Sequence, residues 1–198
     1  MKLPALLAAA AIGTLFTPAA TQAAPGVCGA IAGNLVVNCG FDTGNQNGWT
    51  PTPASSGSLF ATSGSTVNSG DYSHYFAATG GIDDALAQVL STVPGQAYQV
   101  SFVLDTSGAA PAHFNASWNG ATLVDLINPA DQPFSFYSYT VIGTGTDTIR
   151  FAAYDVFSVM FLDDVSVVET DTPEPASLAL LAVGLVGLAA RRRLTPRR

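Results

Sequence analysis

Two neighbouring pairs of aspartates and two histidines are the side chains of this chain best suited to acid–base chemistry. The pairs are Asp83-Asp84 and Asp163-Asp164, and the histidines are His74 and His113. Two carboxylates hydrolyse a glycosidic bond only when they flank that bond from both sides. Neighbouring residues of a strand point to opposite faces of the sheet, so we expect neither pair to act in this way.

The sequence also lacks the motifs of nucleophilic and metal-dependent catalysis. It contains no Gly-x-Ser-x-Gly elbow, no HExxH helix and no group of histidines. Its glycines fall in predicted turns instead of a phosphate-binding loop. We expect a protein that is not an enzyme, in which each histidine packs in the core or lies on the surface.

The charge of the chain is distributed unevenly. Residues 24–172 hold thirteen acidic residues and one basic residue, Arg150, which gives this segment a formal charge of −12. Such a segment repels nucleic acid and anionic lipid, which bind clustered Lys and Arg. It either attracts divalent cations or serves solubility. We expect Arg150 to pair with an aspartate of a neighbouring strand, with a polysaccharide carboxylate as its alternative partner.

The N-terminus has the layout of a secretory signal peptide. Met1-Lys2 is positively charged, residues 3–16 are apolar, and Thr21-Gln22-Ala23 is a small-residue cleavage site. We therefore predict a signal peptide over residues 1–23, removed by signal peptidase. Because an exported chain meets an oxidising compartment, its only two cysteines, Cys28 and Cys39, are expected to form a structural disulfide.

The middle of the chain predicts strands and turns. Tyr98, Val100, Phe102 and Leu104 alternate with polar residues, which is the period of a strand with one buried face. Asn119-Gly120 separates two apolar runs and predicts a hairpin over residues 113–127. Further strands are predicted over residues 34–37, 72–77, 85–91, 134–142, 149–153 and 157–169. Residues 83–90 are compatible with a strand or a helical turn. About nine or ten strands predict an all-β antiparallel sandwich.

The last residues combine three elements in a fixed order. They are Pro173-Glu174-Pro175, the apolar run 176–190 and Arg191-Arg192-Arg193. A fifteen-residue helix spans about 22 Å against a hydrocarbon core of roughly 30 Å, and flanking arginines can shorten the difference. Clustered arginines stay on the cytoplasmic side, so the rest of the chain is expected outside.

This tail, residues 173–198, resembles the PEP-CTERM sorting signal. The resemblance implies a Gram-negative export substrate that the membrane protease exosortase processes at the inner membrane. It also implies a place in the exopolysaccharide or biofilm matrix. An ordinary C-terminal anchor with a chance Pro-Glu-Pro is the alternative.

The segment between the two ends carries a second resemblance. The motifs are Asn34-Leu35-Val36-Val37-Asn38-Cys39-Gly40-Phe41-Asp42, Asn47-Gly48-Trp49, Gln88-Val89-Leu90, Pro94-Gly95-Gln96-Ala97-Tyr98 and Phe161-Leu162-Asp163-Asp164-Val165-Ser166-Val167. In this order they resemble jelly-roll carbohydrate-binding modules. The resemblance implies a galactose-binding-like jelly roll over residues 24–172.

The same resemblance implies a structural calcium ion near the first and last strands. Its ligands would be the Gly40 carbonyl, Asp42 and Asp163, with Asp71 as a fourth. Asp42 stands where the family usually has glutamate, and a shorter side chain weakens a bidentate contact. Alternatively, the disulfide at Cys39 braces the strand in place of a metal, or the acids belong to turns and strand edges.

Sugar binding needs exposed aromatic faces with polar neighbours. The candidates are Tyr72, Tyr75, Tyr137, Tyr139 and Tyr154, and Trp49 and Trp118 are poorer ones. The resemblance transfers no sugar site, because binding aromatics lie in variable loops. We therefore expect an exported module that binds extracellular polysaccharide. A purely structural acidic matrix protein is the alternative, and a glycan-active enzyme is the third possibility.

Overall fold

The chain folds into antiparallel strands. The computed structural model describes residues 28–55 and 58–170. A short 3₁₀ turn at Cys28–Ala30 precedes ten strands. The strands are β1 (Thr50–Thr52), β2 (Leu59–Ser63), β3 (Ser73–Ala77), β4 (Asp84–Ser91), β5 (Ala97–Thr106), β6 (Ala112–Trp118), β7 (Ala121–Ile127), β8 (Gln132–Ile142), β9 (Thr146–Asp155) and β10 (Met160–Glu169). The segment that allowed a helical turn is strand β4.

The strands form two five-stranded antiparallel sheets. Sheet I has the order β1-β4-β9-β6-β7, and sheet II has the order β2-β3-β10-β5-β8. Consecutive strands often lie in different sheets, so the chain crosses repeatedly between the layers, as a jelly roll does. The predicted all-β sandwich is confirmed.

Aromatic rings from both sheets fill the space between them. Phe102 of β5 lies 5.0 Å from Phe151 of β9 and 5.8 Å from Phe114 of β6, measured between ring centroids. All three rings are fully buried. Because side chains alternate along a strand, this contact fixes which residues of each strand point into the core and which point outwards.

The predicted hairpin is strands β6 and β7. Asn119 and Gly120 both have positive φ, at 50° and 81°, which the two-residue turn requires. The register shifts between Ala116 and Ser117, where Leu123 of β7 is left without a partner, which marks a bulge in β7. From Ala116 back towards the start of β6, this bulge changes which residues of β7 lie opposite.

The N-terminal segment differs from the prediction. Residues 34–37 are not a strand, although the Leu35 N–H donates to the Val167 carbonyl of β10. With the hydrogen bonds of the Asn34 side chain to Val165 and Val167, this contact places the segment beside β10 without forming a ladder. The expected disulfide joins Cys28 to Cys39 in the same region. The strand predicted from residue 157 begins only at Met160, because residues 156–158 form a bend closed by Asp155.

The predicted signal peptide and the C-terminal tail lie outside the described residues. Within the part of the chain that the structure describes, no helix has the length and apolar character needed to cross a membrane.

Replacing Phe102 with alanine tests the role of the aromatic core. We expect Phe102→Ala to lower the free energy of unfolding by about 3–5 kcal/mol, since it removes a fully buried ring and leaves a cavity. Phe157→Ala is the control, because the Phe157 side chain is 77% exposed. Urea titration of both variants measures the difference, and equal losses would contradict this description of the core.

Candidate functional site

A histidine lies between two aspartates on the outer face of sheet I. His113 precedes the buried Phe114 on β6 and therefore points outwards. Its Nδ1 lies 2.8 Å from Asp83 Oδ1 and its Nε2 lies 2.8 Å from Asp125 Oδ1. Asp83 precedes β4 and Asp125 belongs to β7, so the ring bridges two carboxylates from separate segments.

The hydrogen bonds favour the protonated ring. Partial burial opposes protonation of His113, but its hydrogen bonds to Asp83 and Asp125 and the charges of these groups outweigh that effect and raise its pKa. The same contact, with a hydrogen bond from Asn115 Nδ2, lowers the pKa of Asp125. When His113 is protonated, the bridge is an ion pair on both sides of one imidazolium.

An aromatic and aliphatic surface adjoins this bridge. Tyr154 of β9 pairs with His113, and their ring centroids are 5.8 Å apart. On the other side His113 pairs with Ile127, which is 73% exposed. Two residues before Tyr154, Ala152 pairs with Ala85 and Asn115 and is fully buried. We call Tyr154, His113, Asp125, Asn115 and Arg150 the sheet I face.

Arg150 is exposed on the sheet I face, and the ion pair expected for it is absent. Both ion pairs in the described ranges involve His113. The residues opposite Arg150 are Ala87 and Ser117, so no aspartate of a neighbouring strand lies within its reach. The guanidinium therefore keeps its donors for solvent or a ligand.

The other candidate tyrosines lie apart from Tyr154. Tyr137 and Tyr139 point into the sandwich, where they stack on Phe102 at 5.2 and 6.4 Å. Tyr75 contacts Phe161 on the outer face of sheet II. Tyr72 lies beside Gly44 in the N-terminal segment. The structure does not bring the five tyrosines together, and among them Tyr154 is the one that lies beside the bridge of Asp83, His113 and Asp125. The buried Trp49 and Trp118 offer no exposed ring.

The second histidine, His74, is a core residue and does not lie on the sheet I face. His74 is fully buried among Phe41, Phe60 and Phe76, and burial lowers its pKa to about 3. Its Nε2 lies 2.8 Å from Gln46 Nε2. The packing role expected for one of the histidines belongs to this residue.

Two of the residues named for calcium converge on Gly40. A Cβ built on Gly40 would lie 3.0 Å from Asp42 Oδ2 and 3.6 Å from Asp163 Oδ1. Asp42 Oδ1 accepts a hydrogen bond of 2.7 Å from the Asp71 N–H. Asp71 thus reaches the cluster through its backbone. No group of three or more His, Cys, Asp or Glu side chains suited to a metal occurs in residues 28–55 and 58–170.

Asp163 and Asp164 do not point in opposite directions, contrary to the expectation for neighbouring strand residues. Asp163 Oδ2 accepts the Asn68 N–H at 2.9 Å, and Asp164 accepts the Asn68 amide and the Ser69 hydroxyl, both at 2.7 Å. The reason is a bulge, in which Asp164 has a φ of 48° and the register of β10 shifts. Burial and the charge of Asp164 raise the pKa of Asp163 to about 7, although hydrogen bonds from Asn68, Asp164 and Ser69 oppose this.

This cluster fits a hard cation. The donors are carboxylate oxygens, and glycine at position 40 leaves open the space into which two of them project. A bound divalent cation would also offset the repulsion that raises the pKa of Asp163. Asp83 and Asp84, in contrast, diverge as expected: Asp83 contacts His113, whereas buried Asp84 accepts the Ala54 N–H.

The chain carries a PEP-CTERM protein-sorting motif, whose family model matches residues 171–193. This match includes the predicted Pro-Glu-Pro, the apolar run and the arginines up to Arg193. The motif indicates a secreted protein that exosortase processes at the cell envelope or in the extracellular space. No curated protein matches the chain in sequence.

Solved structures similar to this chain include carbohydrate-binding modules. The family 61 module TmCBM61, solved with β-1,4-galactotriose, is 18% identical, has a TM-score of 0.52, and the match covers 69% of this chain and 99% of the module. The C-terminal family 22 module of Clostridium thermocellum Xyn10B is 16% identical with a TM-score of 0.52, covering 71% and 98%. The enzymatically active domain of bacteriophage CBA120 tailspike protein 4 is 17% identical with a TM-score of 0.56, covering 69% of this chain but only 21% of the tailspike chain. At these identities the likeness concerns the fold, which is the jelly-roll sandwich of carbohydrate-binding modules.

Sequence reasoning did not find the bridge of Asp83, His113 and Asp125. A two-residue turn at Asn119-Gly120 without a bulge would place Asp125 opposite Phe114, on the inner face. The bulge at Leu123 in β7 moves Asp125 opposite Asn115 and onto the outer face. The turn motif alone gave no signal of this shift.

Proposed function

We propose that this protein binds a polysaccharide outside the cell through the sheet I face, without catalysing a reaction on it. The observation that supports this most strongly is the position of Tyr154, whose ring lies beside His113 on the outer face of sheet I. A pyranose ring can stack on the tyrosine ring while its hydroxyls reach the polar groups beside it.

The polar groups of the face match the hydroxyls of a sugar. Asp125 Oδ1 is engaged by His113 and Asn115, which leaves Oδ2 to accept a hydroxyl. Arg150, with no ion pair in the described part of the chain, donates to hydroxyl or ring oxygens. The charge of −12 between the two transport signals repels polyanions, so we favour a neutral chain.

The absence of catalysis is part of the proposal. Asp83 and Asp125 are both held by His113, and this contact lowers the pKa of Asp125, which opposes its action as a general acid. The jelly-roll fold supports binding by analogy only.

The two ends of the chain determine where binding takes place. Signal peptidase would remove residues 1–23, and the tail would hold the inner membrane until exosortase acts near Pro173. The released domain would then join the exopolysaccharide or biofilm matrix as an adhesive or scaffolding protein.

A structural calcium ion is a second part of the proposal. The Gly40 carbonyl, Asp42 and Asp163 would hold it, with Asp71 nearby. Bound there, the ion would supply positive charge that neutralises two carboxylates and ties the N-terminal segment to β10.

Replacing Tyr154 tests the binding surface. We expect Tyr154→Ala to weaken binding on a glycan array at least tenfold, since an aromatic platform contributes much of the contact area. Tyr75→Ala on the opposite face of the sandwich is the matched control and should bind like the unaltered chain. If the unaltered chain binds no glycan on the array, the alternative of an acidic structural matrix protein is favoured instead.

Removing calcium with a chelator tests whether the protein binds the proposed structural ion. We expect a chelator to lower the melting temperature of the chain, because a ligand of the native state raises it. Asp42→Asn and Asp163→Asn should abolish this response, whereas Asp131→Asn, which alters an exposed acid away from the cluster, should keep it. A melting temperature unaffected by chelation would rule out the ion.

Mass spectrometry of the exported protein tests the processing. We expect a mature C-terminus near Pro173 and a variant with Pro173, Glu174 and Pro175 all replaced by alanine to keep its tail, because the protease would no longer recognise it. An intact tail on the unaltered protein would argue against cleavage.

A further inference from the structure

We propose that His113 is a positioning residue which, as an imidazolium, holds Asp125 in place to accept a sugar hydroxyl, so that glycan binding weakens as the pH rises. This inference rests on the proposed function of the sheet I face and adds its regulation by pH. It starts from a geometric fact: both nitrogens of one ring lie within hydrogen-bond distance of a carboxylate.

Only the doubly protonated ring satisfies this geometry. Carboxylates of Asp83 and Asp125 accept hydrogen bonds, so each ring nitrogen must carry a proton. A neutral imidazole has one N–H, and its other nitrogen would turn a lone pair towards a carboxylate. Loss of the proton therefore breaks one of the two contacts.

The contact to Asp125 is the one that breaks. His113 Nδ1 lies 2.8 and 3.0 Å from the two oxygens of Asp83, whose side chain is 25% exposed. His113 Nε2 reaches a single oxygen of Asp125, whose side chain is 48% exposed. The remaining proton stays on Nδ1, because Asp83 is less exposed than Asp125 and offers two oxygens to it. Asp125 then keeps only its hydrogen bond from Asn115, at 3.1 Å.

No other charged group around the ring takes over this role. The neighbours of His113 are Asp83 before β4, Asn115 on its own strand, Asp125 and Ile127 on β7, and Tyr154 on β9. In the described ranges the remaining cation of this face, Arg150, forms no ion pair with Asp125. The orientation of Asp125 Oδ2 thus depends on the charge of His113.

The sign of the effect follows from the direction of the pKa. The pKa of His113 is raised above its ordinary 6.5, so the bridge is complete in mildly acidic medium and is lost as the pH rises through the folded-state pKa. A charge-assisted hydrogen bond that is made only below this pKa changes binding by about tenfold. The face is therefore a stronger glycan binder below the folded-state pKa of His113 than above it.

The first measurement uses the full chain in detergent without glycan. Nitrogen-15 chemical shifts of the His113 ring should show two protonated nitrogens at about pH 5, and the Asp125 carboxyl carbon should shift with the midpoint of His113. A neutral ring at about pH 5 would overturn the positioning role irrespective of any sugar. An Asp125 carboxyl shift that does not follow the titration of His113 would overturn it as well.

The second measurement is binding to β-1,4-galactotriose, to xylan and to a glycan array at about pH 5 and pH 8. We expect the unaltered chain to lose about tenfold in affinity at the higher pH. His113→Gln and Asp125→Asn should bind with little change between the two pH values, and Thr140→Ala, an exposed change on the opposite sheet, should retain the loss.

The outcomes separate the two proposals. Equal binding of the unaltered chain at both pH values would overturn the role of His113 and leave the proposed function standing. Binding to no glycan at either pH would overturn the proposed function and, with it, the glycan role of His113. A pH-dependent loss that persists in His113→Gln would assign the effect to another group and contradict the inference.

Discussion

The packing of Phe102 against Phe151 and Phe114 is the contact on which the rest of the structure depends. It is made between the two sheets and is entirely excluded from water. Once these rings face inwards, the alternation of each strand sends their neighbours outwards, including His113 beside Phe114. The position of the candidate site is therefore a consequence of how the core is filled.

The sheet I face brings together charged and polar groups that the apolar core does not contain. A bridged imidazolium, an amide, an arginine without an ion pair and a tyrosine ring occupy neighbouring strands of sheet I. Rigid strands hold these groups in register, which favours binding because little side-chain freedom remains to be lost. The cluster of Gly40, Asp42 and Asp163 lies elsewhere, where the N-terminal segment meets the last strand, and the cation proposed for it would act on stability.

Much of the fold could be predicted, since apolar alternation, the Asn119-Gly120 turn and the cysteine pair each specify a local structure. The failures have local physical causes. A bulge at Asp164 turns two adjacent carboxylates towards the same loop, and another in β7 brings Asp125 to His113. Each bulge adds one residue to one strand of a pair, which a period-two pattern does not reveal. The absent ion pair of Arg150 depends in the same way on register, because only the paired strands show that alanine and serine lie opposite it.

The most direct measurement is a map of backbone amide shifts on addition of a glycan that the array identifies. The account predicts that the largest shifts fall on β6, β7 and β9, at Tyr154, Asp125 and Arg150, and that Tyr154→Ala removes them. Shifts centred on Tyr75 and Phe161 of the opposite sheet, or shifts that survive Tyr154→Ala, would contradict it.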